Sequence, residues 1–459
     1  MRARHLNLIC QALLLVCTLA NADIIKMYDR TDRALAARLM TFSAAQRTID
    51  IMAYELRPCD SSIKLVLGVL AERARRGVRV RLLLDAYLVK SEEREYLARY
   101  LDQHGIQLKL YNDSKFIITK NHRSHVKIAI IDGHTYLTAS SNLSDDYFGV
   151  GKQINFHNRD FLIQGASAAQ AQKAFDKIWA LKISKSAKVK PGTARSGLAQ
   201  CEDLSRTDRV VADYFNKNAQ KLVKAKAHSC ARIRVDVDDP DFRNAAYDGE
   251  RSRGNGFNPY MTRERLKRKR ATASILEFIS GAKSSLNMEN QYYLAQNKLR
   301  QELDQARRRR VPTVIFTSLM VDAASGMSDL MSYLTQRSAK RDSKGSLSVV
   351  EMFNHGGFNG AYELTPRTPW YVHSKTAVRN HRDVWFGSFN LDPRSSHTNL
   401  EFGVTVKGCP SLAQALETRY RQMFEIYKDD LKNCRECGRK KPDVNALQIF
   451  FGLIATNFL

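Results

Sequence analysis

The run SHVKIAIIDGHTYLTASSN, Ser124 to Asn142, and the run YVHSKTAVRNHRDVWFGSFN, Tyr371 to Asn390, carry the same polar residues in the same order. Each has a His-x-Lys, His125/Lys127 in one and His373/Lys375 in the other. From Lys to Asn each spans 15 positions (142 − 127 and 390 − 375), with Ser140 or Ser388 two residues before Asn142 or Asn390. The histidines lie 373 − 125 = 248 residues apart, and an acidic residue follows each copy, Asp160 in HNRDFLI and Glu401 in TNLEFGV. One His-x-Lys carries no information; two with matched Ser, Asn and carboxylate mark an internal duplication, which fixes the architecture before any single element is read.

Around the two copies the chain alternates helices and strands. In the first half Arg33 to Ala45 reads as a helix, Thr48 to Tyr54 as a strand, and Ile63 to Arg76 as a helix closed by Gly77. Val78 to Leu84, Ile106 to Tyr111, the SHVKIAIID run and Thr135 to Ala139 read as strands. The second half echoes this, with Gln46 to Leu56 aligning to Lys283 to Leu294, so the fold class is α/β and the repeat covers whole domains. The expected division is a leader over 1–22, a first domain over 23–183, a linker or insertion over 184–269, a second domain over 270–433 and an apolar tail over 434–459.

The leader reading rests on Arg2 and Arg4 before the apolar run Leu8 to Ala20 and on small residues at Ala20 and Ala22, so export to a periplasm or beyond is expected. Six cysteines follow it, an even number that permits disulfides in an exported protein without revealing their pairing. The net charge of +26 points to polyanionic partners: nucleic acid, an anionic membrane surface or a phosphodiester substrate. The tail VNALQIFFGLIATNFL is short for a membrane span and reads as a helix that packs on the protein or dips into a bilayer surface.

On an extended segment, side chains two apart share a face, so each imidazole and its ammonium point into a common space. Two such halves facing each other suit a phosphodiester. One histidine attacks phosphorus, and the other serves as acid and then base. Two ammoniums, with Ser140, Asn142, Ser388 and Asn390 as donors, hold the phosphate oxygens. Asp160 and Glu401 can each accept from an imidazole Nδ1–H. No metal or other cofactor is called for, since the lysines supply the positive charge. Asp132, at an odd offset from His125, is expected to face away and bond backbone at the turn.

These residues resemble the phospholipase D superfamily and its duplicated HxKxxxxD…GSxN motif. The first copy matches through His125, Lys127 and Asp132, with Ala139 in place of glycine. The second matches through His373, Lys375, Gly387, Ser388 and Asn390, with Asn380 where the family has Asp. The phrases at 141–151 and 387–404 look like bacterial cardiolipin synthases, and MENQYY (288–293) looks like the phospholipase D branch. The resemblance implies two similar domains, each a mixed sheet flanked by helices, related by a pseudo-twofold axis with one shared cleft. It implies a phosphohistidine on the first-copy histidine, and cross-pairing of His125 with Glu401 and His373 with Asp160. The substrate class it implies is a phospholipid such as phosphatidylglycerol or phosphatidylethanolamine, with water or an alcohol as acceptor. Nucleic acid is the second choice, and a non-catalytic binding module the third.

Overall fold

The continuous apolar run Ile128–Ile131 is buried at every position, as a strand covered on both faces must be. Its counterpart Thr376–Arg379 is buried at its first three. These two strands sit at the centre of two sheets, seen in a computed structural model that describes residues 22–87, 91–113, 122–187, 201, 203–239, 267–318, 326–352, 354–355 and 369–433. The leader, the cysteines at 434 and 437, and the apolar tail lie outside the described residues, apart from Ala22. Among the described residues no helix is long and apolar enough to cross a membrane.

Seven strands of the second sheet run in the order Arg232–Val237, Phe402–Lys407, Asp383–Gly387, Thr376–Arg379, Leu286–Glu289, Thr313–Ser318, Leu347–Met352. The first sheet repeats this order with Asp23–Tyr28, Asp160–Gln164, Thr135–Ala139, Ile128–Ile131, Thr48–Ala53, Arg79–Asp85 and Gln107–Tyr111. It adds Ala227–Cys230 on one edge and Ser184–Ser186 on the other. Both sheets are mixed: the last three strands of each series pair parallel, and the remaining pairs are antiparallel. The duplication read in the motifs is therefore a duplication of two helix-flanked sheets. Phe161 and Phe386 stack across their meeting, with centroids 3.8 Å apart and planes 11° apart.

Within the segment expected to be a linker, 184–269, the described residues 203–239 are more ordered than its composition suggests. Helix Arg206–Leu222 begins at a capping box in which Ser205 and Asp208 satisfy each other's backbone N–H groups. It buries Val211 and Phe215, one turn apart, against helices Thr31–Ser43 and Ser61–Arg75. The next two strands, Ala227–Cys230 and Arg232–Val237, join one sheet each, so the middle of the chain stitches the halves together. Disulfides Cys59–Cys201 and Cys230–Cys409 pin both ends of that stitch. The C-terminal helix Pro410–Asn433 presents Leu412, Leu416, Tyr420 and Met423, on one face at helical spacing, to the shared core.

The turns after the central strands show why aspartate and asparagine interchange. Asp132 (φ 54°) accepts from the backbone N–H groups of Gln46, Arg47 and Thr48 at 2.7–2.9 Å. Asn380 (φ 53°) accepts through Oδ1 from Lys283 and Ser284 at 2.7 and 3.0 Å and donates to Gly281 O at 3.2 Å. Both sit at the far end of the strand from the histidines and tie the turn to the start of the neighbouring strand. Asp132→Ala is expected to cost about 2 kcal/mol in urea denaturation, because charge-assisted backbone bonds are lost. Asn380→Asp should leave both the unfolding midpoint and turnover within error.

Candidate active site

The two His-x-Lys units do not lie on the sheet strands themselves. Each occupies an extended stretch just before a central strand, 125–127 and 373–375, where the chain crosses to the other half. Ser124 bridges Leu400, and the His125 N–H donates to Leu400 O at 2.9 Å. Val372 pairs in the same parallel sense with His157, and the His373 N–H donates to His157 O at 2.9 Å. The residue after each bridge is thereby delivered to the imidazole, Glu401 to His125 and Asn158 to His373.

His125 Nδ1 lies 3.1 Å from both carboxylate oxygens of Glu401. His373 Nδ1 lies 3.0 Å from Asn158 Oδ1. The Asn158 amide is oriented by its Nδ2, which donates to Phe156 O at 3.2 Å, and Ser140 Oγ donates to the same Oδ1 at 3.0 Å. The expected pairing of His373 with Asp160 is thus corrected. The sheet register explains why. Gly387 pairs with Gly403, two residues past Glu401, while Ala139 pairs with Asp160, two residues past Asn158. Asn158, not Asp160, is the structural equivalent of Glu401. The acid–Phe dipeptides Asp160-Phe161 and Glu401-Phe402 invite an alignment that the ladder shifts by two. Asp160 is instead fully buried with the Arg38 guanidinium and Ser141 Oγ.

Ser388 Oγ donates to Glu401, as Ser140 Oγ donates to Asn158, so both serines lock the residue behind a histidine instead of pointing at a phosphate. Asn142 Nδ2 donates to Tyr147 O–H at 2.9 Å and to Glu55 at 3.3 Å. Asn390 is buried, and its N–H donates to Ser395 Oγ at 2.9 Å. Each lysine folds back on its own histidine's carbonyl, Lys127 at 2.9 Å and Lys375 at 2.6 Å. Tyr54 meets the His125 ring edge-on at 4.8 Å, and Tyr147 meets the His373 ring edge-on at 5.0 Å.

All four basic groups are buried and lie within electrostatic reach of one another. Burial lowers His125 to about 4, opposed by Glu401 and assisted by Lys127. It lowers Lys127 to about 7. Burial, then Lys375, Lys127 and His125, hold His373 well below its usual range, with a hydrogen bond at the Ser140 backbone opposing. Burial and the nearby Lys127 depress Lys375. Glu401 is pushed up by burial, but His125, Ser388 and Lys127 outweigh this and hold it at about 2. At neutral pH the His125–Glu401 contact therefore joins a neutral imidazole, protonated at Nδ1, to a carboxylate. The cluster resists positive charge until an anion arrives, as a phosphate-binding centre should.

Sequence reading missed Asn158, Tyr54, Tyr147 and the buried ion pair of Arg159 with Glu289, a bond that crosses between the halves. Four further histidines lie near the motifs in sequence: His134 and His381 are exposed at the turns, whereas His122 and His157 are buried.

Comparison with known proteins agrees with this architecture. A family described as "Cardiolipin synthase, PLD-like domain" matches residues 39–179 and 275–424. Cardiolipin synthase C of Escherichia coli (strain K12) is 25% identical over 417 residues, 85% of this chain and 82% of that protein. An uncharacterized protein of Helicobacter pylori (strain 26695) is 23% identical over 400 residues, covering 83% and 75%. The crystal structure of phosphatidylserine synthase from Haemophilus influenzae Rd KW20 superposes with a TM-score of 0.61 at 12% identity, over 96% of each chain, which speaks to the fold. With both of its halves matched and two sheets of the same strand order, this chain belongs to the phospholipase D-like family of cardiolipin synthases, phosphodiesterases and phosphatidyltransferases.

Proposed function

We propose that the protein transfers the phosphatidyl group of a phospholipid to an alcohol through a phosphohistidine on His125. The observation that carries this is the unequal backing of two imidazoles that share one buried cationic cluster. His125 has a carboxylate behind it; the His373 Nδ1 faces no carboxylate but the Asn158 amide oxygen and Lys375 Nζ. An N-phosphorylated imidazole bears a positive charge for the lifetime of the intermediate, and Glu401 supplies the counter-charge. The acid–base partner must give up its proton to the leaving alkoxide and take one from the incoming alcohol within a turnover. Partners without negative charge hold the ring without trapping that proton. Lys127 and Lys375 balance the charge on the phosphate oxygens.

Export, with the anionic surface of a membrane as the place of action, is part of the same reading. Two disulfides support it, since such bonds persist in oxidising compartments. The surplus of basic residues supports it through attraction to anionic headgroups.

Purified protein incubated with mixed phosphatidylglycerol and phosphatidylethanolamine vesicles, with and without a chelator, tests the reading. Cardiolipin or free headgroup should appear in both arms. Nicking of plasmid DNA without lipid turnover would replace it with a nuclease. The role given to Asn158 makes its own prediction. In Asn158→Asp, a carboxylate raises the pKa of His373, so its acid form survives to higher pH. The alkaline limb of the kcat/KM profile should move up by about one pH unit, whereas a purely structural asparagine would lower the rate without moving the limb.

A further inference from the structure

The carboxylate behind His125 is itself gripped by a buried ion pair that the transfer chemistry does not use. The ladder between strands Arg232–Val237 and Phe402–Lys407 ends with Val237 opposite Phe402. One residue further, the Asp238 N–H donates to Glu401 O at 3.0 Å, and the Glu401 N–H donates to Asp238 Oδ2 at 3.1 Å. The same Oδ2 accepts from Lys269 Nζ at 2.6 Å, and Asp238 Oδ1 accepts from the Ala271 N–H at 3.0 Å. Lys269 Nζ also donates to the carbonyl of Asn399. Both charged side chains have 0% exposure.

The pair thus holds the chain on both sides of Leu400, and Leu400 turns its own polar groups the other way. Its carbonyl accepts from the His125 N–H at 2.9 Å, and its N–H donates to Arg123 O at 2.7 Å. Residues 399–401 are therefore wedged between the ion pair and the first motif. Their side chains complete the seat, since Asn399 Nδ2 donates to Glu401 Oε1 at 3.2 Å and Ser395 Oγ donates to the same oxygen at 2.7 Å. Burying two charges costs so much desolvation that a pair of this kind adds little to stability, and its contribution is the geometry it specifies. The first half is built differently. There strand Asp23–Tyr28 leads within two residues to helix Thr31–Ser43, and Arg30 at that join has a side chain 40% exposed and paired with Asp32. The buried pair stands behind the imidazole that is backed by a carboxylate.

We propose that Lys269 and Asp238 are positioning residues for the nucleophile: they seat the backbone of 399–401 so that the Glu401 carboxylate meets His125 Nδ1 with both oxygens. The inference rests on the reading of His125 as the nucleophile and adds what keeps its counter-charge in place. A carboxylate anchored in advance has no reorganisation to undergo when the imidazole becomes cationic on phosphorylation.

The test pairs kinetics with a spectroscopic signature. Removing one partner strands a buried charge and unfolds the chain in the worst case, so the informative variant is the shape-keeping double replacement Asp238→Asn with Lys269→Met. Its denaturant midpoint confirms folding. With a p-nitrophenyl phosphodiester donor, its burst rate at saturating donor is expected to fall about tenfold or more while the donor KM stays unchanged, as misplacing a reacting group does. In a Glu401→Gln background the same double replacement should alter the burst by less than about twofold, because no carboxylate is left to place. The Nδ1–H proton resonance of His125, identified by its loss in His125→Asn, reads the contact without turnover and should move upfield in the double replacement. A wild-type burst in the folded variant, an equal loss in both backgrounds or an unmoved resonance overturns the positioning role and leaves His125 as nucleophile. A wild-type protein without any burst overturns the nucleophile reading itself, and the positioning role falls with it.

Discussion

His125→Asn and His373→Asn are each expected to lower kcat/KM for phospholipid turnover by roughly 10⁴-fold or more, since removing a nucleophile or a general acid–base group costs on that order. Asparagine keeps the local shape and a hydrogen-bonding group at the position, so folding should survive and the loss reports on chemistry. A phosphodiester with a p-nitrophenolate leaving group separates the two roles. That leaving group needs no proton, so His373→Asn should still release an early burst of nitrophenolate and then stall. His125→Asn should give no burst. Two equal bursts, or a burst in His125→Asn alone, would reverse or remove the assignment drawn from Glu401 and Asn158.

The largest expected loss of stability lies at Glu289. Its carboxylate is fully buried beside the equally buried guanidinium of Arg159, and it also accepts from Thr376 Oγ1 at 3.2 Å. Burial pushes this carboxylate up, but Arg159 and His157 outweigh that and hold it below its usual range. Arg159 belongs to the first half and Glu289 to the second, so the pair clamps the interface on which the shared site depends. Glu289→Ala leaves a buried cation without its partner, and a loss of about 3–5 kcal/mol is expected in denaturant titration. That is a large share of the ~5–15 kcal/mol a natural domain possesses. Replacing both residues by methionine should recover most of it, because the penalty comes from the stranded charge. If Glu289→Ala unfolds at the wild-type midpoint, the interface does not lean on this pair.

Much of this was legible in the chain because duplication constrains it twice. The apolar run at Ile128–Ile131, and the Gly77 stop with its φ of 87°, gave local signals that tertiary packing then used unchanged. The placement of Asp132 and Asn380 followed from side-chain parity alone. The partner of His373 was not legible. Asn158 lies 16 residues past Asn142 and Glu401 only 11 past Asn390, so unequal loops hide the equivalence that the strand ladder sets. Chemical likeness then favours the wrong residue, Asp160. The order within 203–239 was also hidden, because its strands are short and polar and depend on edges supplied by other parts of the chain. The Ser205-x-x-Asp208 capping box was its one local signal.

The central claim is that two imidazoles from opposite halves act on one phosphorus atom, with His125 forming the bond. Acid-stable phosphoryl groups and acid-labile phosphohistidine differ in how they survive quenching. Wild-type protein should therefore be mixed with a short-chain phospholipid, quenched in alkali within milliseconds and digested, and the phosphoryl-bearing peptide located by mass. The account predicts a phosphatidyl adduct on His125, absent from His125→Asn and, with a p-nitrophenyl donor whose leaving group needs no proton, longer-lived in His373→Asn. An adduct on His373 or on any other residue, or none under turnover conditions, would contradict it.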